Sequence, residues 1–251
     1  MVLPHDEAGA GPAVVLLHAG VADRTMWAEH LPPLAAAGFR AVAMDLPGFG
    51  AAPPADRTDP WTDVLETMDS LGISTAAIAG NSFGGAVAYN LAVVAPERVT
   101  SLALISAPAP DLDPSAELQR IWEAEESALE RGDLDGAVEA VVRAWTLPDA
   151  SEELRARVGA MQRRAFEHAG AAPPTEVPAP AEQDPGLLGR LETPALVACG
   201  QLDLPDFQLS AESLAARLRA SPATVIPQAG HLAPLEQPEE FDRLLIAFLE
   251  G

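Results

Sequence analysis

The sequence has no lysine and only one cysteine, and these two features restrict the partners and the covalent bonds that the protein can have. All 15 basic residues are arginines, and they face 37 acidic residues, so the formal net charge is −22. Such a surface repels phosphate groups and anionic lipids, so we expect neither nucleic acid nor a membrane surface as a partner. Cys199 has no second cysteine to pair with, which excludes an intramolecular disulfide and indicates a buried structural thiol.

Long apolar runs are also missing. No stretch reaches the roughly 18 uninterrupted apolar residues of a membrane-spanning helix. Residues 1–12 have neither a basic start nor an apolar centre, so we do not expect a signal peptide. The acidic residues and histidines show no spacing typical of metal ligands. We therefore expect a cytoplasmic protein without a metal.

What the sequence does contain is a series of short apolar runs separated by segments with helical spacing. The runs are too short for helices and apolar throughout, which indicates strands buried on both faces of a parallel sheet. This alternation predicts an α/β fold with a doubly wound, mostly parallel sheet. The predicted strands are 13–18, 40–44, 76–79, 101–106, 195–199 and 223–227, and the predicted helices are 27–37, 60–71, 84–95, 211–219 and 238–250.

The alternation stops between residues 110 and 189. This part is rich in Glu, Arg and Ala, and it ends in a proline-rich stretch, 171–185, that is unsuited to a helix or a central strand and is predicted as a loop. We interpret 110–189 as a helical lid insertion in a core formed by 1–109 and 190–251. The helices predicted within it are 115–131, 134–145 and 151–168.

Ser82 is the strongest candidate for a reactive residue. The segment 80–85, Gly-Asn-Ser-Phe-Gly-Gly, follows a predicted strand and opens a predicted helix. Gly-x-Ser-x-Gly between a strand and a helix is typical of a nucleophile turn, where the two glycines let the strand and helix approach closely. The alternative is a glycine-rich junction that carries an ordinary serine.

A serine nucleophile needs a base and an acid that orients the base. Of the five histidines, His231 follows the last predicted strand in a Gly-His loop, at the same sheet edge as Ser82. Asp203 follows the preceding strand at that edge, with Asp206 as the competing acid. We predict the catalytic residues Ser82, Asp203 and His231, whose order along the chain is typical of one group of serine hydrolases.

Two backbone amides are expected to stabilise the oxyanion. One belongs to Phe83, directly after the nucleophile, and the other most simply to Gly20 in the small-residue turn after the first strand. The alternative for residues 18–20 is a plain strand-to-loop turn.

These motifs together resemble the α/β-hydrolase superfamily, in its lid-bearing branch of esterases, enol-lactonases, C–C bond hydrolases and cofactor-free perhydrolases. The chain departs from the family pattern in having Ala19 where a glycine is usual, and only about twelve residues precede the first run, so one early strand is expected to be missing or reduced. The resemblance covers nearly the whole chain and rests on residues 16–20, 45–50, 80–85, 96–99, 200–203, 230–231 and 238–241.

The resemblance implies a serine hydrolase that cleaves a carboxylic ester or lactone of a small to medium, fairly apolar molecule without an organic cofactor. The alternatives are a C–C bond hydrolase, favoured by residues 81–83 and disfavoured by Leu232 after the histidine, and a ligand-binding member without activity. We expect a monomer or homodimer. The predicted pocket residues are His18, Asn81, Trp122, Trp145 and Leu232, and the possible carboxylate anchors in the lid are Arg155, Arg157, Arg163 and Arg164.

Overall fold

The computed structural model describes residues 1–168 and 174–251, and its centre is a seven-stranded sheet. The strand order is β1-β3-β2-β4-β5-β6-β7, and every neighbouring pair is parallel except β1 with β3. The doubly wound, mostly parallel sheet is thereby confirmed. The strands are β1 (His5–Ala8), β2 (Ala13–Leu17), β3 (Arg40–Met44), β4 (Ala76–Asn81), β5 (Val99–Ile105), β6 (Ala195–Gly200) and β7 (Thr224–Ile226).

The central strands match the apolar runs because both of their faces are covered. Strand β4 is buried at every residue, and β2 at every residue after Ala13. One strand, β1, precedes Ala13 among the described residues, in agreement with the expected loss of an early strand. It pairs antiparallel with β3 and lies at the edge of the sheet.

The helices mostly follow their predicted bounds, with two differences. The single helix predicted over 27–37 is divided into a 3₁₀ turn, Arg24–Trp27, and α1, because Pro32 and Pro33 lack the N–H that a continuous helix requires. Helix α8 begins six residues before the predicted 211. The helices are α1 (Leu31–Ala36), α2 (Pro60–Ser70), α3 (Phe83–Val94), α4 (Ala116–Glu130), α5 (Leu134–Trp145), α6 (Glu152–His168), α7 (Pro180–Gln183), α8 (Pro205–Arg217), α9 (Ala233–Glu236) and α10 (Pro238–Glu250).

Of the four α-helices described between β5 and β6, the first three, α4 to α6, pack on one another in sequence. We call them the lid helices. The loop predicted over 171–185 is partly wrong, because α7 begins at Pro180, where the first turn of a helix does not need the missing N–H. Residues 171–173 lie outside the described residues. No described helix has the length and apolar character needed to cross a membrane.

The parallel strands bring distant segments to one edge of the sheet. Strands β2, β4, β6 and β7 all point the same way, so the residues that follow them lie at their shared carboxyl edge. Gly20, Ser82, Asp203 and His231 come after these four strands in that order.

Candidate active site

Ser82 occupies a strained backbone position between β4 and α3. Its φ of 52° and ψ of −116° lie in a region that costs a non-glycine residue about 1–3 kcal/mol. A Cβ on Gly80 would come under 3.0 Å from the backbone of Gly84, and a Cβ on Gly84 would come equally close to the Leu17 carbonyl. The Ser82 N–H donates to the Ile105 carbonyl at 2.8 Å. Both glycines are therefore needed for the sharp turn that presents Ser82.

Asp203 and His231 form a buried pair. The His231 Nδ1 lies 3.1 and 3.3 Å from the two Asp203 carboxylate oxygens, and the Asp203 side chain has no solvent exposure. The Leu204 N–H also donates to Asp203, at 2.8 Å. A Cβ on Gly200 would come under 3.0 Å from the Gly230 carbonyl, so glycine at the end of β6 allows the histidine loop to approach.

Asp206, the competing acid, has other partners. Its carboxylate accepts from the Ser115 N–H at 2.7 Å and from the Ser115 hydroxyl at 2.9 Å. Ser115 is the N-cap of lid helix α4, so Asp206 connects the lid to α8. The structure thus brings His231 together with Asp203 and gives Asp206 a tethering position.

Two aromatic rings pack on the His231 imidazole. The Trp145 ring centroid lies 4.5 Å from that of His231, and the Phe207 centroid lies 4.2 Å from it. Trp145 ends lid helix α5, and Phe207 lies in the first turn of α8. Contacts of this kind restrict the orientation of the imidazole. The sequence predicts Trp145 only as a pocket residue and gives no sign of Phe207, because no local pattern connects either ring to the histidine.

Glu236 is a second residue that the sequence analysis missed. Its carboxylate accepts the Gly230 N–H at 2.7 Å and so supports the loop that carries His231. Burial raises the pKa of the Glu236 carboxyl, and the Gly230 N–H partly offsets this effect. The available signal was its position five residues after the histidine, in a turn that folds back on the loop.

Gly20 and Phe83 are close together at the sheet edge. A Cβ on Gly20 would lie 3.5 Å from the Phe83 Cβ. Phe83 is the first residue of α3, so its N–H has no acceptor within the helix, and the positive end of the helix dipole lies here. The two residues predicted to supply oxyanion amides therefore face the same small region.

Three predicted pocket residues are instead buried beneath the site. His18 has no solvent exposure, its Nδ1 pairs with the Ala19 carbonyl at 2.8 Å, and its Nε2 accepts the Leu46 N–H at 2.9 Å. Burial lowers the His18 pKa, which favours a neutral ring. Asn81 donates to the carbonyls of Ile105 and His231, each at 3.1 Å.

Leu232 likewise packs in the apolar core with no exposure. These residues turn inward because the interior offers them backbone partners or apolar contacts that solvent-facing positions lack. His18, Asn81 and Leu232 hold the surrounding loops and do not line the cavity described next.

A cavity of about 1160 Å³ lies between the sheet edge, lid helix α4 and the chain near 174–183. Ser82, His231, Gly20 and Phe83 line it, as do Trp122 and Trp145 from the lid. Several exposed apolar side chains also face it, namely Phe83, Leu112, Trp122 and Leu209. Within the described part of the chain, no set of three or more His, Cys, Asp or Glu residues is grouped to hold a metal ion.

Residues 14–244 match the model of the alpha/beta hydrolase family. The chain belongs to this family. Over 108 residues it is 33% identical to bifunctional epoxide hydrolase 2 of Sus scrofa, an alignment that covers 41% of this chain and 20% of that protein. Over 112 residues it is 34% identical to 2-hydroxy-6-oxo-6-phenylhexa-2,4-dienoate hydrolase of Comamonas testosteroni, covering 41% of this chain and 39% of the relative. The chain thus spans less than half the length of these relatives.

Similarity to a solved structure extends over the whole fold. A thermophilic esterase from Thermogutta terrifontis, solved with malate bound, superposes with a TM-score of 0.79 at 26% identity. The match covers 99% of this chain and 93% of the esterase. The fold and the family are therefore established together.

Proposed function

We propose that this protein is a serine hydrolase that cleaves a carboxylic ester or lactone through an acyl-enzyme on Ser82. The observation that carries the proposal is the buried Asp203–His231 pair, whose histidine lines the same cavity as a serine at a strained strand-to-helix turn. A strained turn between two essential glycines is retained only where the surrounding structure and the function require it.

In the proposed reaction, His231 takes the proton of the Ser82 hydroxyl as its oxygen attacks the substrate carbonyl carbon. Asp203 keeps the imidazole in the required tautomer and stabilises its protonated form. The N–H groups of Gly20 and Phe83 hold the negative oxygen of the tetrahedral intermediate. The C–O bond to the leaving group breaks, His231 returns the proton to that oxygen, and water then hydrolyses the acyl-enzyme by the same steps.

The cavity supports a fairly apolar substrate of small to medium size. Exposed apolar side chains such as Leu112, Trp122 and Leu209 face it, and contiguous exposed apolar surface commonly marks a binding groove. Its volume of about 1160 Å³ leaves room for both an acyl group and a leaving group.

A fluorophosphonate probe and a series of p-nitrophenyl esters test the proposal. We expect one covalent label per chain and hydrolysis of the acetate through the butyrate ester, with both lost in Ser82→Ala. Ser210→Ala is the matched control, because Ser210 lines the same cavity and is not at the turn. A protein that hydrolyses neither ester nor lactone and is never labelled at Ser82 would exclude this function.

C–C bond cleavage is the second candidate, and the identity to the Comamonas testosteroni dienoate hydrolase favours it. Turnover of a vinylogous 1,5-diketone that exceeds turnover of every ester would establish this candidate. Turnover of an epoxide, with no turnover of an ester or a diketone, would overturn both candidate functions. A protein that binds these molecules and is neither labelled nor active would be a non-catalytic ligand binder.

A further inference from the structure

The charges that line the cavity are almost all negative. Among the described lining residues, five carry a carboxylate and one carries a guanidinium. Carboxylates without matching cations repel a second anion and attract a cation. The carboxylates belong to Asp113, Glu125, Glu176, Glu182 and Asp206, and the guanidinium belongs to Arg57.

Arg57 is already paired. Its Nε lies 3.2 Å and its Nη2 2.9 Å from the two carboxylate oxygens of Asp59, a two-point pairing that uses one face of the guanidinium. Asp59 therefore neutralises the one cation that could anchor a substrate carboxylate in this cavity.

The lid arginines proposed from the sequence as carboxylate anchors are also occupied. Each of the four donates to an acceptor outside the cavity, and none of the four lines it. Arg155 donates to the carbonyls of Leu147 and Pro148, Arg157 to Glu29 and the Thr25 carbonyl, Arg163 to Asp135, and Arg164 to Asp23. The expectation that they bind a substrate carboxylate is therefore not supported.

Of the five carboxylates, Glu125 is expected to have the strongest electrostatic effect on a bound substrate. Asp113, Glu176 and Glu182 are exposed, so water screens them, and Asp206 is hydrogen-bonded to the N-cap of α4. Glu125 is half-buried on α4, and within the described residues no arginine forms an ion pair with it. Burial raises the pKa of the Glu125 carboxyl.

We propose that the cavity selects neutral or cationic esters over esters that carry a carboxylate, with Glu125 as the specificity-determining residue. The proposal rests on the ester hydrolase function and narrows its substrate class. The net charge of −22 acts in the same direction, because it slows the approach of anions to the whole molecule. A dienoate, the anion in the name of the Comamonas testosteroni relative, belongs to the disfavoured class.

The test compares three p-nitrophenyl esters of similar acyl length: the neutral valerate, the anionic hemiglutarate and the cationic 4-(trimethylammonio)butyrate. We expect kcat/KM for the hemiglutarate to be at least about tenfold below that for the valerate, and the cationic ester to match or exceed the valerate. Equal rates for the hemiglutarate and the valerate would overturn the proposal.

A pair of variants separates the local charge from the net charge. Glu125→Gln and Glu126→Gln each remove one negative charge from α4, but Glu126 is exposed and does not line the cavity. We expect Glu125→Gln to lower the ratio of kcat/KM for the valerate to kcat/KM for the hemiglutarate by about threefold or more. Glu126→Gln should leave this ratio unchanged. Equal effects of the two variants would remove Glu125 from the role proposed here.

Calorimetric binding of the same three esters to Ser82→Ala separates this inference from the ester hydrolase function. If wild type hydrolyses none of the esters and Ser82→Ala still binds the hemiglutarate most weakly, the hydrolase function is refuted and the charge selection is retained. Hydrolysis of all three esters, with equal binding, would retain the function and refute the charge selection.

Discussion

The carboxyl edge of the sheet and the lid helices enclose the same cavity, but different contacts hold them in place. At the edge, a Cβ on Gly80, Gly84 or Gly200 would come under 3.0 Å from backbone atoms. In lid helix α6, a Cβ on Gly159 would lie 3.4 Å from methyl groups of two valines. Backbone atoms can move only with their whole strand, whereas a side chain can rotate.

The lid is joined to the core mainly through side chains. Asp206 binds Ser115, Arg157 binds Glu29, and Arg164 binds Asp23. The Arg157–Glu29 pair is exposed, and exposed ion pairs contribute about 0–1 kcal/mol each, whereas the Asp23 carboxylate in the Arg164 pair is buried. The backbone around Ser82 and His231 is thus tightly constrained, whereas the lid side of the cavity can accept substitutions more easily. In the proposed function, the sheet edge sets the chemistry and the lid helices set the choice of substrate.

The largest effect on kcat is expected from a comparison of Asp203, which contacts His231 at the sheet edge, with Asp206, which contacts the start of α4. Asp203→Asn should lower kcat for a neutral ester by about 10⁴-fold, because the amide favours the wrong tautomer of His231. Asp206→Asn should leave kcat within about threefold of wild type, because Asp206 tethers the lid. Steady-state kinetics of both variants measure the contrast. A larger loss at Asp206 would reverse the assignment of the acid.

The second comparison uses one glycine from each region. Gly84→Ala should lower the free energy of unfolding by about 3 kcal/mol, because its Cβ would overlap the Leu17 carbonyl. Gly159→Ala should change it by less than about 1 kcal/mol, since the valine methyls can shift and alanine favours the helix. Urea denaturation provides both values. Similar losses at the two positions would show that the edge is no more rigid than the lid.

The two lid tryptophans test whether the lid affects only substrate binding or also the orientation of His231. Trp145→Leu should lower kcat about tenfold, because the His231 imidazole loses one of its two aromatic neighbours. Trp122→Leu should raise KM for the longer apolar esters with little change in kcat, because Trp122 lines the cavity away from the histidine. If Trp145→Leu changes only KM, the lid does not position His231.

The smallest effect concerns His18, the buried histidine that follows β2. The pKa of His18 is lowered in the folded protein, whereas in the unfolded chain the ring takes up a proton near its ordinary value of about 6.5. Protonation therefore favours unfolding below that pH, and wild type loses stability there that His18→Gln cannot lose. The stability advantage of wild type over His18→Gln should shrink by about 1 kcal/mol between about pH 7.5 and 5.5. Denaturation at both pH values checks this, and a constant difference would contradict it.

Most of the sheet could be predicted because a buried parallel strand is a continuous apolar run. Strand β1 could not, since its four residues, His-Asp-Glu-Ala, are only partly covered and carry no apolar signal. Backbone pairing with β3 makes it a strand, and that pairing appears only when the chain is folded.

In the site, too, some features could be predicted from the local sequence and others could not. His18, which follows β2 directly, was predicted to line the pocket. The folded chain offers its ring the Ala19 carbonyl on one side and the Leu46 N–H on the other, and a buried neutral imidazole is satisfied by both. A partner 28 residues away is invisible in the local pattern around the histidine.

The local sequence is sufficient to predict the turn around Ser82 and the chain order of a serine, an aspartate after β6 and His231, because glycines and strand ends constrain the backbone locally. Packing between distant segments establishes that Asp203 rather than Asp206 contacts His231, that Trp145 and Phe207 pack on its ring, and which charges face the cavity. These features depend on side chains from distant segments. Their meeting follows from how the lid helices and the sheet edge pack together, and no local residue pattern encodes it.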